Sequence, residues 1–267
     1  MKRREVLKNI GLGVFLVTGS GFTTLLAYND HVKLRIRDAI DTKLTEKSIE
    51  AADFETIKIT PKNAQSIQQE YGILLVDRSS GKIVTLEEAV ANPGYIHGGN
   101  LSLVEDNQSL TARHVRHLGT SNKDVSIGPI PQDLDTNNVR AYDLDLKTAP
   151  QSLEGHTVQI VGVDKDSEAE GLVFKRVTGT VLVNEVQQGL QDALGARMWP
   201  CFTEQALIIK LPKEEYYTMN GMSGSKVLHK GKVIAIVNQG ISSRKHKAVA
   251  CLPVNLLKDQ LQTTSEV

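Results

Sequence analysis

The stretch Asn220-Gly221-Met222-Ser223-Gly224-Ser225-Lys226-Val227 sets how the rest of the chain is read. A serine hydroxyl is a weak nucleophile at neutral pH. It needs a base to take its proton and donors to hold the oxyanion that forms. Gly221 and Gly224 let the backbone turn sharply and bring N–H groups close to a substrate carbonyl. Taken alone, the same Gly/Ser run is weak evidence and reads as an ordinary turn. Its surroundings are β-like: Val227-Leu228, a turn at His229-Lys230-Gly231-Lys232, then the apolar run Val233-Ile234-Ala235-Ile236-Val237.

Two upstream stretches supply candidate partners. Ser109-Leu110-Thr111-Ala112-Arg113-His114-Val115 carries a histidine at the end of an apolar run, the residue type suited to a general base. Alone, His114 reads as a surface histidine closing a strand. Tyr142-Asp143-Leu144-Asp145-Leu146 alternates apolar and acidic residues, which puts Asp143 and Asp145 on the same side of a strand. Both are candidate acidic partners for a histidine. Asp133 and Asp135 are also in range, and a solvated edge strand is the plain alternative.

Outward from these motifs the chain reads as many short strands separated by turn signals. Candidates are Thr56–Ile59, Gly72–Val76, Lys82–Val84, Gly94–Leu103, Val125–Gly128 and Val139–Leu146. A second series is Thr157–Val163, Leu172–Val183, Ala206–Leu211, Val227–Leu228 with Val233–Val237, and Ala248–Leu252. Short strands at this spacing predict an all-β sandwich or barrel. Val254–Leu261 reads as a terminal helix, with Pro253 at its start.

In the order His, Asp, Ser, the three motifs resemble the trypsin-like serine peptidases, in particular exported bacterial members. Gly231–Val237 is similar to the strand behind their nucleophile, and Ala250–Asn255 to their last strand and helix start. The resemblance covers roughly residues 60–262. It implies two six-stranded-type, chymotrypsin-like β-barrels with a C-terminal helix. Residues 60–150 would form the first barrel, and residues 151–267 the second with the helix. The implied activity is peptide-bond hydrolysis through an acyl-enzyme. Ser223 would attack, His114 would move the proton, and Asp143, ahead of Asp145, would orient the imidazole. The N–H groups of Gly221 and Ser223 would hold the oxyanion. No cofactor and no metal are implied, and the partner is a polypeptide substrate. An esterase of the α/β-hydrolase kind would need glycine where Ser225 stands.

The sequence departs from that pattern in places. Lys226 stands where proline usually follows the nucleophile run, and Arg113 replaces a small residue beside the histidine. Met222 occupies the place where many activated relatives carry an aspartate that pairs with a freed N-terminus, so the oxyanion loop must be held by packing. The primary specificity pocket would fall near Tyr216–Met219 and Asn238–Gly240, with Tyr217 a candidate cap. These windows hold no aspartate, so a preference for Lys or Arg is not implied. The competing reading is a proteolytically silent, peptidase-like binding or scaffold protein.

Residues 1–27 pair a basic start (Lys2, Arg3, Arg4, Lys8) with the apolar run Ile10–Ala27, the layout of a bacterial export signal. Arg3-Arg4-Glu5-Val6-Leu7-Lys8 resembles a twin-arginine motif. The expected location is periplasmic or extracellular; an uncleaved segment would instead tether the chain to a membrane. Residues 28–59 read as a polar lead. A formal net charge of +0 gives no basic surface to drive nucleic-acid binding. Cys201 and Cys251 are the only cysteines. Export permits a disulfide between them, and two buried thiols are the alternative. The histidines are scattered, and His114 with His117 lacks the further ligands of a zinc site.

Overall fold

The structure, a computed structural model, describes residues 54–112, 115, 120–122, 125–165, 171–182, 207–211, 221–242 and 247–258. Thirteen strands lie among them. The first seven are β1 (Phe54–Lys58), β2 (Ile73–Asp77), β3 (Ile83–Val84), β4 (His97–Val104), β5 (Gln108–Ala112), β6 (Thr120–Asn122) and β7 (Val125–Pro129). The remaining six are β8 (Thr157–Lys165), β9 (Leu172–Val181), β10 (Leu207–Leu211), β11 (Lys226–His229), β12 (Lys232–Ser242) and β13 (Lys247–Pro253).

The second half closes on itself. Its strands run β9-β10-β13-β12-β11-β8, and β8 pairs back onto β9, giving a closed six-stranded antiparallel barrel. One edge of β9 is taken by β8 along most of its length. The other edge is shared, with Thr180 and Val181 on β10 and Val173–Val177 on β1. β1 therefore joins this barrel although it precedes the first sheet in sequence, and the end of the expected lead is a strand. The interior is aliphatic: Val158, Ile160, Val177, Leu207, Ile209 and Val237 are among its buried side chains. Cys251 lies there too, with a free and buried thiol, so it has no disulfide partner.

The first half is a six-stranded sheet ordered β3-β2-β4-β5-β7-β6. β2 is buried along its whole length because both faces are covered. Ile73 and Leu75 face one cluster, Leu74 and Val76 another, as the period of two requires. Two short helices, α1 (Ala64–Tyr71) and α2 (Leu86–Ala91), cover the first face. α2 starts with a capping box, in which Thr85 and Glu88 each satisfy the other's backbone N–H. α1 ends at Gly72, whose N–H bonds the Gln68 carbonyl.

The all-β expectation is met, and the second barrel closes with the expected strand number. Residues 139–146 differ from expectation. They form no ladder, only single bridges from Tyr142 to Val104 and from Leu144 to Val233. The segment thereby links a first-sheet strand to a barrel strand, and Tyr142 is buried between the two with Leu110, Ile127, Val233, Ile236 and Leu252. Of the expected terminal helix, the described part is a 3-10 turn, Val254–Leu257. The expected export segment lies outside the described residues.

Candidate active site

The loop Gly221–Ser225 is fixed between the two halves. Met222 is fully buried in the barrel core and anchors the loop from below. Ser225 N–H bonds the Met222 carbonyl at 3.0 Å, closing a tight turn around Ser223. Gly224 N–H donates to the Val237 carbonyl and Val237 N–H to the Ser225 carbonyl, both at 2.8 Å. Gly224 has φ +82°, and a Cβ there would run into the Asn100 carbonyl and the Thr111 hydroxyl. Both the angle and the space demand glycine. At Gly221 a Cβ would strike the Asp164 carboxylate and come within 3.0 Å of His97 Cδ2, so this glycine is required by close approach.

Ser223 is half-buried, and its Oγ donates to the Asn238 carbonyl at 3.4 Å. A trans peptide sets N–H antiparallel to C=O. Since the Met222 carbonyl turns inward to Ser225, the Ser223 N–H points away from the turn. Among the described residues no group accepts a hydrogen bond from the N–H of Gly221, Met222 or Ser223. Consecutive N–H groups left free in a turn form a concavity suited to an anion. These include both donors expected for the oxyanion.

The carbonyls of the loop, by contrast, are held from the first sheet. Ser223 O accepts from Asn100 N at 2.8 Å. Gly221 O accepts from Asn100 Nδ2 and lies at the same distance, 2.9 Å, from His97 Nε2. Asn100 is buried, and its side chain also exchanges two bonds with β8, Nδ2 to Val163 O and Oδ1 from Val163 N. Beneath Gly221, Asp164 is fully buried and paired with Lys175 at 2.5 Å.

His114 lies outside the described residues, as do Arg113 and Tyr216–Met219. The described residues around His114 are close to the loop. Thr111 Oγ1 donates to the Asn100 carbonyl at 2.6 Å, and Val115 N–H bonds the Ala112 carbonyl at 2.9 Å. A Cβ at Gly99 would run into both Val115 methyls and come within 3.1 Å of Ser223 O.

Asp143 is placed elsewhere. Its carbonyl accepts from Val233 N at 2.9 Å, at the start of β12, whereas Ser223 sits at Asn238. Five residues of strand separate these points, about 16 Å at ~3.3 Å per residue. The Asp143 side chain is 55% exposed and lies 3.6 Å from Lys232. It also shares a hydrogen bond with Glu105, which raises the Glu105 carboxyl above its usual range. Asp145 is no nearer, since its N–H bonds the Val233 carbonyl. Burial pushes its carboxyl up, but bonds from Thr148 and Lys147 outweigh that and lower it. The structure brings Ser223, Gly221 and the Thr111–Ala112 segment together, and brings neither Asp143 nor Asp145 to them.

Lys226 ends the loop wholly buried. Its Nζ bonds the Gly72 carbonyl at 3.3 Å and lies 4.9 Å from the centre of the Tyr142 ring. Burial, with Arg140 nearby, drives its amine down to about 7. Among the described residues no three metal-ligating side chains come together.

No family model matches the sequence, and no curated protein matches it. Among solved structures the chain is similar to two inactivated protease paralogues of the scabies mite. S-I1 shares 13% identity at a TM-score of 0.48, over 75% of this chain and 97% of that one. S-D1 shares 14% at 0.45, over 75% and 94%. Neuropsin, a serine protease expressed in the limbic system of mouse brain, shares 12% at 0.48, over 79% and 99%. At these identities the likeness says nothing of activity.

Asn100, His97 and Thr111 carry much of this site, and no local pattern marks them. Asn100 and His97 meet Gly221 across 121 and 124 residues of chain. The one available signal was three polar residues on strands whose neighbours are apolar.

Proposed function

We propose that this chain is a serine hydrolase acting on polypeptides, with Ser223 as nucleophile and His114 as the group that takes and returns its proton. The observation that carries the reading is the Gly221–Ser225 turn, in which the carbonyls are tied inward and the N–H groups of Gly221 and Ser223 are left unengaged among the described residues. An attacking hydroxyl beside preorganised donors is what acyl transfer needs, and each such donor is worth roughly 3–4 kcal/mol of barrier. Attack by Ser223 Oγ would give a tetrahedral oxyanion facing these donors. Collapse would release the amine with the proton carried by His114, and water would then hydrolyse the acyl-enzyme by the same route. The role of Asp143 as orienting acid is not retained in this proposal, because its backbone is bonded five residues along β12 from Asn238. We further propose export to the periplasm or beyond, on the strength of residues 1–27.

That same position of Asp143 favours a second reading, a peptidase-shaped binding or scaffold protein without turnover. Incubation with a denatured polypeptide mixture, with new termini read by mass spectrometry beside a Ser223→Ala control, separates the two. Cleavage that requires Ser223 supports the hydrolase; no Ser223-dependent termini support the silent form.

A further inference from the structure

We propose that Asn100, assisted by His97, is the positioning residue of the oxyanion loop, doing by hydrogen bonds what packing on Met222 alone does not. The inference rests on the reading of Ser223 as nucleophile and names what holds that site in order.

Asn100 touches the loop twice. Its backbone N–H bonds Ser223 O at 2.8 Å, and its Nδ2 bonds Gly221 O at 2.9 Å. Gripping both carbonyls fixes the 221–222 and 223–224 peptide planes, which flank the Met222–Ser223 peptide. The Ser223 N–H belongs to that middle peptide, whose own carbonyl bonds Ser225 N, so the clamp holds the planes on both sides of the donor. Asn100 is itself over-determined. Val163 N donates to its Oδ1 at 2.7 Å, its Nδ2 reaches Val163 O at 2.9 Å, and its own carbonyl accepts from Thr111 Oγ1. The first assignment fixes which end of the amide is oxygen, so Nδ2 has no freedom to flip.

His97 adds a second donor to the same carbonyl. Its Nε2 faces only acceptors, Gly221 O at 2.9 Å and Val163 O at 3.2 Å, so the proton belongs on Nε2. Nδ1 then presents its lone pair to the Tyr95 hydroxyl at 3.4 Å, which also reaches the Val76 carbonyl at 3.1 Å. Burial keeps the ring neutral, because it lowers the imidazole more than the two carbonyls and Asp164 raise it. A carbonyl with two buried donors is held far more firmly than one in a turn exposed to water.

The test measures two things on the full protein: the rate of fluorophosphonate labelling at Ser223, and hydrogen exchange over residues 221–225. His97→Phe keeps the volume and removes the donor; His97→Gln keeps a donor. Asn100→Asp keeps the shape but turns a carboxylate oxygen on two carbonyls. Expected are a fall of ~10²–10³ in labelling rate for His97→Phe, as for loss of an oxyanion donor, faster exchange of the Gly224 and Ser225 amides, and recovery of both in His97→Gln. Asn100→Asp should be at least as damaged. Labelling and exchange in His97→Phe equal to wild type, or equal damage in Phe and Gln, overturn the proposal. If the wild type does not label, the hydrolase reading falls and exchange alone decides the clamp. Protection lost in Phe and kept in Gln supports it, and protection unchanged in Phe overturns it.

Discussion

Replacing Lys226 with methionine should make the protein more stable, and by an amount that depends on pH. The amine is fully buried, with one carbonyl and one aromatic face as partners, and sits at about 7. In the unfolded chain it titrates near ~10.4. The native state therefore binds fewer protons than the unfolded state between these values, and stability rises with pH across that window. Below pH 7 both states are charged, and the penalty for burying the charge is present in full. At pH 7 it amounts to roughly 4 kcal/mol. Lys226→Met abolishes it without orphaning Gly72 O, which also accepts from Leu103 N at 3.0 Å. The expected gain at pH 7 is about 1 to 4 kcal/mol, the range seen when well-packed apolar residues replace buried charge.

The sign of the slope separates this cause from others. Cys251 is raised by burial, so the native thiol holds its proton while the unfolded one loses it above about pH 8.5, and stability falls there. Tyr71, pushed up to about 12 by burial and Glu70, acts in the same downward sense at still higher pH. Urea unfolding at pH 7 and pH 8.5 avoids both. The advantage of Lys226→Met over wild type should shrink by about 1–2 kcal/mol between these two values. An advantage independent of pH, or a variant less stable than wild type at pH 7, would refute the placement of a charged amine in this seam.

Other outcomes follow from the same structure. Asp143→Asn should change the Ser223 labelling rate by less than about threefold, whereas an orienting acid would cost ~10⁴; rates from labelling time courses decide. Gly224→Ala should cost more than ~3 kcal/mol or prevent folding, since φ +82° and the Asn100 carbonyl both oppose a Cβ; urea midpoints or expression in the soluble fraction report it. Asp164→Asn should cost about 3–5 kcal/mol by leaving the Lys175 amine without its buried carboxylate, read by the same unfolding curves. Alkylation of the denatured, unreduced protein should modify Cys251, and a Cys251-containing disulfide peptide in its digest would contradict the free thiol.

The barrel was legible because its strands announce themselves. Val233–Val237 and Leu172–Val181 are rich in β-branched residues; β9 spans Leu172–Val181, while β12 runs on past Val237 to Ser242. The two helices were not. α1 carries Gln65, Ser66, Gln68, Gln69 and Glu70 on eight residues, and its buried stripe, Ala64, Ile67 and Gln68 with Tyr71 packed beside it, spans only two turns and includes a glutamine, so the apolar signal is short. The alternation at 142–146 reads as a strand and is a seam, because Tyr142 is buried and Leu144 partly buried between the two halves with one bridge each. That difference also moved Asp143. An alternating pattern gives the side of a strand, not which partner the segment meets. At the nucleophile, Ser223 and its glycines were visible as a local turn, while the residues that hold the turn come from β4 and β8 across the fold.

The central claim is that Ser223 is an activated nucleophile. Its most direct test is the intact mass of the purified protein after exposure to a fluorophosphonate, beside Ser223→Ala and His114→Ala. One stoichiometric adduct mapped to Ser223 in the wild type, and none in either variant, is the expected result. A folded wild-type protein that takes up no adduct, or takes it up equally in Ser223→Ala, would contradict the claim.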